Sequence, residues 1–179
     1  MKKRKIYILL TKFPDTGSKM IRAIKGCYYT HASIGLDEDP GTFYSFVKKG
    51  FIVEKITRYI KPGTEPFPCR LYEIEVSQKV YDAVKNSIEY YVEFKHLYHY
   101  SNRGLILSLF NIPYKKSRHG YFCSQFVAEV LNTGNAVKMK KSIRNFFPED
   151  FKKLPGIKLN FAGNLQSMIN HFSLHKSKA

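Results

Sequence analysis

Gly120-Tyr121-Phe122-Cys123-Ser124-Gln125-Phe126-Val127-Ala128-Glu129-Val130-Leu131 combines an amphipathic pattern with a cysteine near its start. Phe122, Phe126, Val127, Val130 and Leu131 recur at three- and four-residue spacing, which lays an apolar stripe along one side of a helix. Gly120 breaks the preceding segment and Gly134 supplies a stop. The spacing therefore predicts a helix whose first turn carries Cys123. A thiol in that position sits against unpaired backbone N–H groups, whose partial positive charge favours thiolate, the nucleophilic form. Polar Ser124 and Gln125 follow it, where a helix start built only for packing needs neither.

Far upstream, Thr30-His31-Ala32-Ser33-Ile34-Gly35-Leu36 alternates as a strand does, with His31 at its beginning. A thiol at a helix start facing a histidine on a strand is a pairing suited to nucleophilic catalysis. Thr42 to Val47 is a second β-rich run, and Asp37-Glu38-Asp39-Pro40-Gly41 between the two has hairpin chemistry. A third group should hold the imidazole in its productive tautomer. Ser45 on the second strand is best placed by register, with Ser33 and Asp37 as reserves. His119, four residues before Cys123, is a rival base, but so short a separation usually aims it elsewhere. Ser33, Tyr44, Tyr121 and Ser124 flank the pair and are the candidate substrate contacts.

The rest of the chain supplies a scaffold. Ile6 to Thr11 reads as a strand, and Ser18 as the cap of a short helix running to Lys25 and ended by Gly26. Phe51 to Ile56 is a further strand or an irregular crossing. Arg70 to Val76 alternates, and Ser77 caps a long helix with Val80, Val84, Ile88 and Tyr91 or Val92 inward. Leu105 to Phe110 reads as a more buried helix, Phe146 to Phe151 as a turn or short helix, and Ile157 to Phe161 as the closing strand. Strands and helices mix without strict alternation, which favours an α+β fold with an antiparallel sheet. Residues 5–165 form one expected domain, and the polar tail over 166–179 is expected to be partly disordered.

Composition narrows the function. An apolar fraction of 44% across 179 residues suffices for a sizeable core and excludes a disordered chain. Thirty basic against fourteen acidic residues give +16, a charge that attracts anionic lipid, nucleic acid or acidic polymers alike. The basic residues are scattered and no nucleic-acid motif is present, so nucleic acid is disfavoured, while an anionic membrane surface is an admissible partner. Cys27, Cys69 and Cys123 form no C-x-x-C pair, so no metal or other cofactor is expected. Their odd number points to a reducing compartment. Lys2-Lys3-Arg4-Lys5 precedes only five apolar residues, too short for a signal core, and cytoplasmic localisation is expected.

Taken together, the chain resembles the NlpC-type cysteine hydrolases of the circularly permuted papain-fold branch, which includes YiiX-like and lecithin:retinol acyltransferase-like proteins. The pieces that carry the likeness are Thr30-His31-Ala32-Ser33-Ile34-Gly35, Phe43-Tyr44-Ser45-Phe46, Phe122-Cys123-Ser124-Gln125-Phe126-Val127 and Pro148-Glu149-Asp150-Phe151 followed by a strand. The resemblance implies a papain-like sheet or small barrel packed against helices. It implies a thiol nucleophile at Cys123, activated by His31, with the Cys123 backbone N–H as an oxyanion donor. The expected activity is hydrolysis or acyl transfer on an amide or ester of a peptide or lipid, through an acyl-enzyme. The family commonly places glutamate, histidine or another strong polar group where Ser45 stands. The competing expectation is a non-catalytic binding module on the same fold, engaging anionic lipid or nucleic acid through its basic surface.

Overall fold

Ile6, Ile8 and Leu10 on one side of the first strand, and Tyr7 and Leu9 on the other, are all buried. A strand covered on both faces belongs inside a sheet. The computed structural model, which describes residues 3–14 and 16–176, places this strand, β1 (Arg4–Thr11), between two antiparallel neighbours. They are β2 (His31–Leu36) and β5 (Pro68–Val76). With β3 (Thr42–Val47), β4 (Gly50–Lys55) and β8 (Ile157–Asn164) they make a six-stranded sheet in the order β4-β3-β2-β1-β5-β8. Every pairing in it is antiparallel. β2, β3 and β4 follow one another as a meander, so the Phe51 segment is a strand and not a crossing.

The two faces of the sheet bury different partners. Ile6, Ile8, Leu10, Ala32, Ile34 and Phe46 pack against α2 (Gln78–Glu93) and α4 (Cys123–Thr133). Tyr7, Leu9, Phe43 and Leu71 pack on the other face with Leu165 and Met168 of α5 (Leu165–Lys176). Helix α2 starts as its sequence requires, with the Ser77 hydroxyl accepting from the Val80 N–H at 3.4 Å. α4 starts differently: Phe122, its N-cap residue, contributes no side-chain hydrogen bond. The first turn at Cys123 is therefore not closed by a capping side chain.

Helix α5 starts at Leu165 and is assigned to Lys176, with Leu165 and Met168 packed under the sheet. Residues 177–179 lie outside the described residues, as does Asp15 in the turn before α1 (Thr16–Lys25). The helix at 105–110, α3 (Asn102–Leu109), buries Leu105 and Leu109 but exposes Ile106, with Phe110 exposed beyond it. Two-residue strands β6 (His99–Tyr100) and β7 (Gly120–Tyr121) pair in parallel just before α4, a feature too short to leave a periodic signal. Among the described residues no helix is long and apolar enough to cross a membrane.

Candidate functional site

Cys123 opens α4 and His31 opens β2, and the two meet at one end of the sheet. The Cys123 sulfur lies 3.9 Å from the carbonyl of Thr30, the residue before β2, and close enough to the His31 ring to help raise that ring's pKa. Both side chains are buried. This contact depends on α4 packing across β2 and β3 through Phe126 and Val127, which share a core with Ile34 and Phe46.

The partner on the far side of the imidazole is Glu54. Its Oε1 lies 2.7 Å from His31 Nε2. A carboxylate only accepts, so Nε2 carries the hydrogen and Nδ1 is left for the sulfur. The Ser33 hydroxyl donates to Glu54 Oε2, and the Tyr59 hydroxyl donates to Oε1 at 3.3 Å. Three donors thus converge on a carboxylate that is only 4% exposed. A buried charge of this kind is tolerable only when its lone pairs are filled and an opposite charge lies close. The ring of Phe13 covers His31 at 5.0 Å between centroids and contacts Tyr59 at 5.3 Å and Phe67 at 5.2 Å. This aromatic cover keeps the pair dry.

Electrostatics follow from that setting. Burial alone would lower the His31 pKa, but the adjacent Glu54 charge and the hydrogen bonds to Cys123 and Glu54 outweigh it. The net result is a pKa well above the ordinary 6.5. Burial would raise the Glu54 pKa, and the His31 charge with the His31, Ser33 and Tyr59 hydrogen bonds reverses this, holding it below 4.5. Each group thus favours the charged form of the other. The other two thiols are governed by burial. Burial, then the nearby Glu149 and Asp150 charges, push the Cys27 thiol up. Burial alone pushes Cys69 to about 12.

Ser45 is not the third member. Its hydroxyl donates to the backbone carbonyl of Ala32 at 2.7 Å and is fully buried in that bond. A serine on the adjacent strand is too short to do otherwise, whereas the glutamate one strand further out reaches across. Ser45→Ala is therefore expected to leave the alkylation rate of Cys123 by iodoacetamide unchanged, while Glu54→Gln slows it. A slower Ser45→Ala would restore the serine to the site. Asp37 lies past the opposite end of β2, bound to the Arg4 guanidinium at 2.6 Å. His119 is exposed, with its ring on Tyr98 at 5.6 Å.

The candidate substrate contacts are also reassigned. Ser33 supports Glu54 from beneath. Ser124 donates to the Phe146 carbonyl at 2.6 Å, and the Tyr121 hydroxyl accepts from Tyr91 at 2.9 Å, so both are engaged in the core. Tyr44 lines a separate groove beside α2 with Glu38, Glu89 and Glu93. The cavity next to the pair, about 560 Å³, is instead walled by Phe13, Met20, Ile21, Phe46, Val47, Leu105 and Ile106. Thr30, His31 and Cys123 form its floor, and Lys48 and Lys49 contribute the basic part of its lining. Among the described residues no cluster of three or more His, Cys, Asp or Glu is arranged to hold a metal ion.

Glu54 was missed by the sequence reading, although a signal for it existed. It is the sole acidic residue between Asp39 and Glu65, and it follows directly on the apolar run Phe51-Ile52-Val53 of its strand. An isolated acid at an inward position of a strand needs a cationic partner, and the histidine two strands away is that partner. No protein-family model matches the chain, and no curated protein matches it at a significant level.

Proposed function

We propose that this chain is a thiol-dependent hydrolase or acyltransferase of circularly permuted papain-like fold, acting on an amide or ester through an acyl-enzyme at Cys123. The observation that carries the reading is the buried cluster of Cys123, His31 and Glu54, in which His31 Nε2 meets the Glu54 carboxylate at 2.7 Å and the Cys123 thiol opens α4 beside the ring. A binding module has no use for a charged pair buried at such cost. A nucleophilic site needs a base held in one tautomer and stabilised once it carries a proton.

In this reading His31 Nδ1 takes the Cys123 proton and the sulfur attacks the carbonyl carbon. The resulting oxyanion accepts from the Cys123 backbone N–H at the open start of α4. His31 then gives the proton to the departing amine or alcohol, leaving a thioester on Cys123. Water, or an acceptor alcohol or amine deprotonated by His31, attacks that thioester and releases the acyl group. The largely apolar cavity wall supports an apolar acyl group, and the separate, unpaired cysteines support a reducing, cytoplasmic setting.

Incubation with p-nitrophenyl esters of increasing acyl length tests this. Intact-mass analysis should show one acyl group added, removed by hydroxylamine and mapped to Cys123. Cys123→Ala should carry none. Acylation at Cys27 or Cys69, or at no thiol, would exclude the proposal.

A further inference from the structure

We infer that the face formed by α3 and the loop after it docks on an anionic lipid bilayer, presenting the mouth of the Cys123 cavity to the membrane. The inference rests on the catalytic reading for its purpose but on separate residues for its substance. Ile106, Phe110 and Ile112 are 45%, 59% and 47% exposed, three large apolar side chains within seven residues. Helical spacing puts Ile106 and Phe110 on one side. Asn111, at φ 55°, then turns the chain back so that the Ile112 N–H reaches the Leu107 carbonyl at 2.8 Å. This helix-ending turn fixes Ile112 beside the other two. Asn111 Oδ1 also accepts from Lys25 at 3.2 Å, which brings the end of α1 to the same edge.

Charge selects the partner. Residues 94–128 contain no acidic side chain, and neither do residues 16–36. A hollow of about 670 Å³ beside the ridge is lined by Arg103, Lys115 and Arg118, by Lys116 paired to Glu129 at 2.8 Å, and by Leu107 and Ile112. Cations and apolar side chains in one hollow suit a lipid, whose anionic head group and acyl chains are joined. A nucleic acid fits less well: Phe110 alone of the three offers an aromatic face on which a base could stack, and Ile106 and Ile112 beside it offer none. The ridge also continues into the cavity, because Ile106 lines it. A lipid leaving the bilayer along α3 would meet Cys123 without crossing water.

Flotation of the full chain with phosphatidylcholine vesicles, with and without phosphatidylserine, tests the inference. Binding should require phosphatidylserine and weaken as salt rises. Phe110→Asp and Ile112→Asp should each weaken it at least about tenfold. Arg103→Gln and Arg118→Gln should each weaken it about fivefold. All four variants should keep the wild-type rate of Cys123 alkylation in vesicle-free buffer, which separates docking from catalysis. Equal binding to neutral vesicles, no binding, or indifference to Phe110→Asp overturns the inference. So does self-association or duplex DNA binding that depends on these residues in place of vesicle binding. A vesicle-bound protein with an unreactive Cys123 would instead sink the catalytic reading and leave the docking surface standing.

Discussion

Glu54→Ala is expected to lower the unfolding free energy by about 3–5 kcal/mol, measured by urea denaturation at neutral pH. The pair is asymmetric in what its loss costs. The Coulombic gain of the His31–Glu54 pair roughly offsets the cost of drying both groups, so the intact pair adds little net stability. Removing only the carboxylate strands the rest. His31 would have to shed its proton or stay charged in a buried site, and the Ser33 hydroxyl would lose its acceptor. Glu54→Gln preserves shape and keeps one acceptor oxygen, so it should fold with a smaller loss. A loss under about 1 kcal/mol for Glu54→Ala would mean that the carboxylate is solvated and that the buried line does not exist.

His31→Gln should cut the rate of Cys123 acylation by about 10²–10⁴-fold while leaving the fold in place. Glutamine retains a donor for Glu54 but has no basic nitrogen, so the thiol keeps its cavity and loses its proton acceptor. A change of less than about fivefold would show that the helix start alone activates the sulfur. His31→Ala is the poorer probe, because it also leaves Glu54 buried without a counter-charge.

The same pair shapes the dependence of stability on pH. His31 has a folded pKa above its ordinary 6.5, so its contribution is complete below that value and fades as pH rises through the folded pKa. Glu54 has a folded pKa below 4.5, so its contribution is complete above that value and is lost on acidification through the lower folded pKa. Stability from the pair is therefore fullest between the two ordinary values and declines slowly on the alkaline side. Equilibrium unfolding of wild type and His31→Gln should show a difference that narrows above neutral pH.

Much of the scaffold was legible because its signals are local. The apolar stripe of α4, the Ser77 cap and the hairpin loop at 37–41 each follow from residues a few positions apart. Cys123 and His31 were legible for the same reason: each occupies a marked place in its own element. What pairs with the imidazole was not, because it depends on sheet order. Ser45 is nearest by register, yet its hydroxyl finds the Ala32 carbonyl first, while Glu54 reaches from one strand further. The substrate side failed likewise. Tyr121 and Ser124 flank Cys123 in sequence, but β7 and α4 turn them into the core, and the cavity takes its wall from α1, β3 and α3 instead. Leu165 and Met168 are too few to stand out among polar residues in sequence, and they pack only because a sheet face is there to receive them.

The central claim is that Cys123 and His31 act as one unit held by Glu54. The pH dependence of Cys123 alkylation by iodoacetamide, with Cys27 and Cys69 as internal controls, tests it most directly. In the wild type Cys123 should react at neutral pH far ahead of the other two thiols, and its profile should lose this neutral reactivity in both His31→Gln and Glu54→Gln. A Cys123 that alkylates no faster than Cys27, or a profile that neither substitution alters, would contradict the account.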